Sequence, residues 1–148
     1  CLCSVEEGKV LDLSSLRKAV LSLEELLERV GDEAFMETLD EVVRKGLRAG
    51  VIQNFEFTFE LCWKFIQRWI RHNRSPEDAE PLVRKDLFRM AARYGLVSDP
   101  TRWFDYAEAR NLTSHTYNEE RAEEVFAIVA VFVGDARHLL ARLEERND

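Results

Sequence analysis

The sequence predicts an all-α fold: an antiparallel four-helix up-and-down bundle with an extra short helix. Three observations predict it. The chain has 148 residues, the length of one domain, and a domain of that size buries roughly 70% of its unfolded surface without disulfides or metal. Apolar residues recur at 3,4 spacing along most of the chain, and no stretch reads as a strand with the alternation a half-buried strand requires. Six Gly and three Pro in a chain that is 46% hydrophobic and 33% charged exclude disordered, collagen-like and low-complexity classes. Residues 1–148 read as a single domain without repeat or linker, with 1–10 expected as a frayed terminus.

The first helix is striped by Leu13, Leu16, Val20, Leu23, Leu27 and Val30 and stopped by Gly31. A second segment carries Phe35, Leu39, Val42 and Val43. The third carries Ile52, Phe55, Phe59, Cys62, Ile66 and Trp69, and ends in the turn-forming 72–76 stretch. Pro81 is expected to open a short fourth helix striped by Val83, Leu87, Met90 and Tyr94, with Gly95 as its C′ residue. Ser98-Asp99-Pro100 is a start signal, an acidic cap before a proline in the first turn. The helix it starts carries Trp103, Tyr106 and Ala107 towards Arg110. Asn118 can cap the last helix, whose stripe is Ala122, Val125, Val129, Phe132, Ala136, Leu139 and Leu143. The apolar run from Val125 to Val133 reads as the all-round buried middle of that helix. It is more apolar than one small bundle needs, which predicts a helix-to-helix dimer.

Charge narrows the function. Twenty-one basic against 28 acidic residues give −7, which argues against coating nucleic acid through bulk charge. The distribution is uneven. Residues 68–93 hold seven basic and four acidic side chains, whereas residues 1–50 and 119–148 each carry −4. The basic stretch is either a solvated helix face or a modest anion-binding surface. The three cysteines are too few for a four-ligand zinc site and odd for a disulfide framework. Cys62, between Leu61 and Trp63, reads as a small core residue, and a reducing, cytoplasmic home is expected. The longest apolar run, nine residues, cannot span a bilayer, and no signal-peptide pattern opens the chain.

Many chemistries lack their parts. There is no Gly-rich phosphate loop, GxSxG elbow or HExxH, nor the Asp-x-Asp pair of a nucleotidyltransferase. His72, His115 and His138 are too dispersed for a metal site, so neither metal nor cofactor is expected. His138, beside Leu139, reads as structural or surface. What remains is Arg110-Asn111-Leu112-Thr113-Ser114-His115-Thr116-Tyr117, which places a permanent cation, a group titrating near neutral pH and a phenol within eight residues. A His can take the proton from a ribose 2′-OH while an Arg stabilises charge growing on the phosphorus oxygens. Residues five apart on a helix lie about 140° apart. Arg110 and His115 therefore converge only if the helix unwinds near Ser114 or a second subunit completes the site. The alternative is a capping or core-bridging cluster.

Two motifs in order, Ala49-Gly-Val-Ile-Gln-Asn-Phe-Glu-Phe-Thr-Phe-Glu-Leu-Cys-Trp-Lys64 and Arg110-Asn-Leu-Thr-Ser-His-Thr-Tyr117, with Trp103 between them, resemble the nucleotidyltransferase substrate-binding-like family. This is a branch of the HEPN superfamily found beside a minimal nucleotidyltransferase, and the resemblance covers roughly residues 10–143. It implies a helical bundle forming a homodimer and a minimal nucleotidyltransferase as partner, with RNA or a nucleotide, rather than DNA or a membrane, as ligand. It carries two functional ideas. One is a non-catalytic substrate- or nucleotide-binding subunit. The other is the toxin of a toxin–antitoxin pair, a metal-independent ribonuclease silenced when the transferase attaches AMP to a tyrosine. Arg110, His115 and Tyr117 match the Arg-x4-His-x-Tyr motif without departure. The resemblance makes His115 the general acid/base, Arg110 the phosphate clamp and Tyr117 the modified residue, with Asn111 orienting phosphate or imidazole.

Within the first motif, Glu56, Glu60 and Lys64 form an i,i+4 series. They are either a helix-face ladder of ion pairs or carboxylates orienting Arg110 or His115. Phe55, Phe59, Trp63, Phe65 and Trp69 could stack on bases, but their helical spacing favours core packing.

Overall fold

The computed structural model describes residues 11–81, 83–115 and 119–147, with residues 114, 115 and 119–121 described as backbone. Among the described residues there are seven helices and no strand. In chain order they are α1 (Ser14–Gly31), α2 (Glu33–Glu37), α3 (Glu41–Asn73), α4 (Pro76–Ala79), α5 (Arg84–Arg93), α6 (Pro100–His115) and α7 (Glu119–Glu145). The four long helices α1, α3, α6 and α7 form the expected antiparallel bundle, with α5 as its short extra helix.

Cross-helix pairs fix the directions. Leu26 meets Gly50 and the Thr58 hydroxyl donates to the Ala19 carbonyl, so α1 and α3 run opposite ways. Arg17 pairs with Glu144 and Arg137 with Glu24, which sets α7 antiparallel to α1. Residues far apart in sequence are clasped where Asn147 both donates to and accepts from the Leu11 backbone, at 2.9 Å each way. Phe55, Phe59, Phe88, Trp103, Tyr106 and Phe132 form the aromatic centre. Phe132 makes edge contacts with Phe55, Trp103 and Tyr106 at centroid distances of 5.1, 5.8 and 5.1 Å.

The stripes of α1 and α7 are the ones the spacing predicts, with Leu16, Val20 and Leu23 buried in α1 and all seven α7 positions buried. Gly95 takes φ +78 and ends α5 as expected. Leu96 N–H donates to the Ala91 carbonyl at 2.8 Å and Gly95 N–H to the Ala92 carbonyl at 3.1 Å, a Schellman closure.

Elsewhere the structure corrects the reading. The second and third segments do not separate as expected. The break falls at Thr38–Asp40, where the Asp40 carboxylate accepts from Val43 N–H at 2.9 Å and starts a helix of 33 residues. That cap outweighs the apolar spacing across it. Val42 and Val43 then lie on a projecting first turn, 80% and 43% exposed. α3 also runs through His72 to Asn73, and the turn begins one residue later. Pro81 does not open α5. The helix starts at Arg84 after Val83, which is exposed, and its buried face is Leu87, Phe88 and Ala91. Pro76 occupies the helix-starting role instead, at the head of α4 with Ser75 as cap. Finally, the middle of α7 is not buried all round, since Ala127, Ala130 and Val131 face outward.

Candidate functional site

Arg110 owes its place to the core stripe of α6. Trp103, Tyr106 and Ala109 are buried, and Arg110, seven residues after Trp103, continues that face at the rim of the bundle. There it meets α3. An Arg110 terminal nitrogen (Nη1) lies 2.9 Å from Glu56 Oε2, and its Nε lies 3.6 Å from Glu60 Oε1. The three side chains are 26%, 24% and 30% exposed, so the cluster is largely but not wholly withdrawn from water. The Nε contact is too long for a hydrogen bond, and that nitrogen is itself buried without an acceptor. Glu60 uses its other oxygen, Oε2, to accept from Trp63 Nε1 at 2.9 Å.

Glu56 and Glu60 are one turn apart on α3, so they share a face. Both turn that face to Arg110. Lys64, a further turn along, is exposed, with its ammonium 5.9 Å from the centre of the Trp63 ring. Asn111 is exposed on α6 beside Arg110. α6 runs without interruption to His115, so the helix does not unwind near Ser114, and the backbone positions of Arg110 and His115 stand about 140° apart. Tyr117 lies outside the described residues, as does the expected cap Asn118. The Thr113 hydroxyl donates to the Arg110 carbonyl at 3.0 Å, tying that turn together. Of the five aromatics weighed for stacking, Phe55, Phe59, Phe65 and Trp69 are buried in the core, and Trp63 is half-buried at the surface. His138 is exposed.

A second polar cluster escaped the sequence reading. Arg102 grips Asp135 of α7 through Nε and Nη2, at 2.9 and 2.6 Å, and the Tyr106 hydroxyl donates to the same carboxylate. Burial, then the hydrogen bond to Asp135, push the Tyr106 phenol well above its ordinary value. Its signal was present: a lone Asp two residues past the apolar run of α7, between the stripe positions Phe132 and Ala136, with an Arg and Tyr four apart on α6. Burial likewise raises the Cys62 thiol, which therefore stays protonated within the core. Among the described residues no group of three or more His, Cys, Asp or Glu could hold a metal, and no helix is long and apolar enough to cross a membrane.

Fold and site together define a class: an all-α antiparallel bundle whose sixth helix presents an arginine to two carboxylates of the third. The model of the family described as "Nucleotidyltransferase substrate binding protein like" matches residues 11–145, and the chain belongs to that family, within the HEPN superfamily. It is 36% identical over 138 residues to a Haemophilus influenzae protein named "Probable ribonuclease HepT", covering 93% of this chain and 94% of that one. Among solved structures it resembles a Haemophilus influenzae protein described as having the fold of a substrate-binding domain of a nucleotidyltransferase. That match has a TM-score of 0.82 and 34% identity, and covers 90% of this chain and 99% of that one. A protein from Thermus thermophilus is similar with a TM-score of 0.67 and 32% identity, covering 86% and 98% of the two chains.

Proposed function

We propose that this chain is the HEPN component of a two-protein system with a minimal nucleotidyltransferase, and that it cuts RNA without a metal. The observation that carries this reading is Arg110, held between Glu56 and Glu60 at the rim of the bundle, at the head of the segment that bears His115 and Tyr117. Carboxylates on one side of a guanidinium fix its direction and leave its remaining N–H groups for a phosphate. In the proposed step His115 removes the 2′-OH proton and the 2′-oxygen attacks phosphorus. The 5′-oxygen leaves with a proton from water, and the proton on His115 returns to water, giving a 2′,3′-cyclic phosphate and a 5′-hydroxyl. Arg110 neutralises the charge that builds on the non-bridging oxygens.

The straight course of α6 supports a homodimer as the active form. With about 140° between Arg110 and His115, a phosphate held by the arginine of one copy is served by the histidine of the other. Leu112, 40% exposed and three residues before His115, offers an apolar side chain to a second copy on that face.

Silencing is proposed at Tyr117. The transferase joins its phenolic oxygen to the α-phosphorus of ATP, pyrophosphate leaves and the phenolic proton is released. The added phosphodiester brings a negative charge two residues after His115 in the sequence. The chain expressed alone is expected to be toxic to its host, His115→Ala harmless, and Tyr117 to gain the mass of AMP when transferase and ATP are supplied. Unmodified Tyr117 under those conditions removes the silencing step. A second reading, a non-catalytic subunit presenting substrate or nucleotide to the transferase, is favoured by one observation: two carboxylates already offset the charge of Arg110. It predicts saturable nucleotide or transferase binding with RNA left intact.

A further inference from the structure

Next to the Arg110 site, aromatic rings carry a belt of cations. The Arg84 guanidinium lies 4.3 Å from the centre of the Trp63 ring, which also takes Lys64 at 5.9 Å. Lys85 and Arg89 lie 5.4 and 5.1 Å from the Phe104 ring, Arg89 also pairing through Nη1 with Asp86 at 2.7 Å, and Arg68 lies 5.0 Å from the ring of Phe65. All five cations are exposed, on the C-terminal half of α3 and on α5. The belt is wired to the site: Trp63 Nε1 donates to Glu60, whose other oxygen faces Arg110. Phe104 shares α6 with Arg110, six residues and about 9 Å along the axis away.

We infer that this belt is a platform for single-stranded RNA that leads a strand to Arg110; the inference rests on RNA being the substrate. A cation held only by a ring face keeps all its N–H groups for an incoming phosphate, as Arg84 and Lys85 do, whereas one paired with a carboxylate, such as Arg89, keeps only the remainder. A guanidinium lying over an indole also has a second flat face, on which an unpaired base stacks. An acidic protein would use the charge of such a surface but not its flat faces. The acidity of the whole chain, −7, makes a local platform necessary, because bulk charge repels RNA.

The test uses the full chain carrying His115→Ala, so that the probe survives, and a short fluorescein-labelled single-stranded RNA in EDTA. Binding is followed by anisotropy between about 50 and 200 mM salt. Arg84→Ala with Lys85→Ala is expected to weaken binding at least about tenfold and to flatten the log–log salt slope by about 1.4, at about 0.7 per lost phosphate contact. Arg17→Ala with Lys18→Ala removes the same charge from exposed positions on α1 and is expected to change affinity less than about twofold. Arg84→Lys keeps the charge but loses the flat face, and an intermediate loss is expected.

Equal weakening by both double variants, or none by the α5 pair, overturns the proposal. So does an α5 pair that binds RNA normally but no longer captures the transferase, since the belt would then be a protein interface. Binding that depends on the belt in a chain whose wild-type form cuts no RNA supports the platform while removing the ribonuclease reading.

Discussion

The Arg110 cluster makes a quantitative demand on stability. A charge pair 2.9 Å apart is worth about 1.4 kcal/mol in bulk water and about 6 kcal/mol at an effective dielectric of 20. With roughly a quarter of each side chain exposed, desolvation and screening offset most of the larger figure, leaving about 1–2 kcal/mol of coupling between Arg110 and Glu56. The perturbations are Arg110→Met, Glu56→Gln and the two combined, with each variant unfolded in urea. The single effects are expected to be unequal. Glu56→Gln leaves Arg110 beside Glu60, whereas Arg110→Met leaves two like charges one turn apart, a further penalty of about 0.2–0.5 kcal/mol. Arg110→Met should therefore lower stability by about 1.5–2.5 kcal/mol, a fall in Tm of about 3–10 °C for a chain of this size. A coupling below about 0.3 kcal/mol, or Glu56→Gln proving the costlier single change, would refute the claim that the carboxylates hold the arginine.

Two further predictions rest on other parts of the fold. Gly95→Ala places a Cβ at φ +78 and 3.0 Å from an Arg146 terminal nitrogen, so a loss of about 1–2 kcal/mol is expected in a thermal melt; a loss under about 0.5 kcal/mol contradicts the turn as described. Tyr106 predicts an alkaline effect. Its folded pKa is raised above the unfolded value of about 10, so its contribution is fully present below about pH 10 and declines above it, as the unfolded chain ionises first. The decline should approach about 1.4 kcal/mol per pH unit, and Tyr106→Phe should remove one proton's worth of it; an unchanged slope would contradict the buried hydrogen bond to Asp135.

What was legible in the sequence is what local physics decides. The stripe of α7 spans seven positions at strict 3,4 spacing, and one face must be buried for it to exist. Gly95 after an apolar helix, and Asp99-Pro100 before one, are governed by the residue itself. Three misreadings arose where two local signals competed. Val42 and Val43 look like core by spacing, but the Asp40 cap sets the helix start and throws them onto a projecting turn. Pro81 and Pro76 both qualify as helix starters, and only Pro76 has a serine in the cap position. The outward face of α7 carries Ala127, Ala130 and Val131, which composition cannot separate from core. At the site, Arg110 and Glu56 are 54 positions apart, so no spacing rule joins them. Their meeting follows from the antiparallel packing of α3 and α6, which places Trp103 against Phe59 and, one to two turns on, Arg110 against Glu56. The cation–aromatic belt was visible only as a basic stretch; which of its charges rest on rings depends on the same packing.

The central claim is that Arg110 and His115 cut RNA without metal. The most direct measurement is RNA cleavage by the purified chain in excess EDTA, with His115→Ala purified alongside it. The account predicts cleavage that leaves 2′,3′-cyclic phosphate ends and disappears in the variant. An intact RNA with both proteins, or equal cleavage by both, would contradict it.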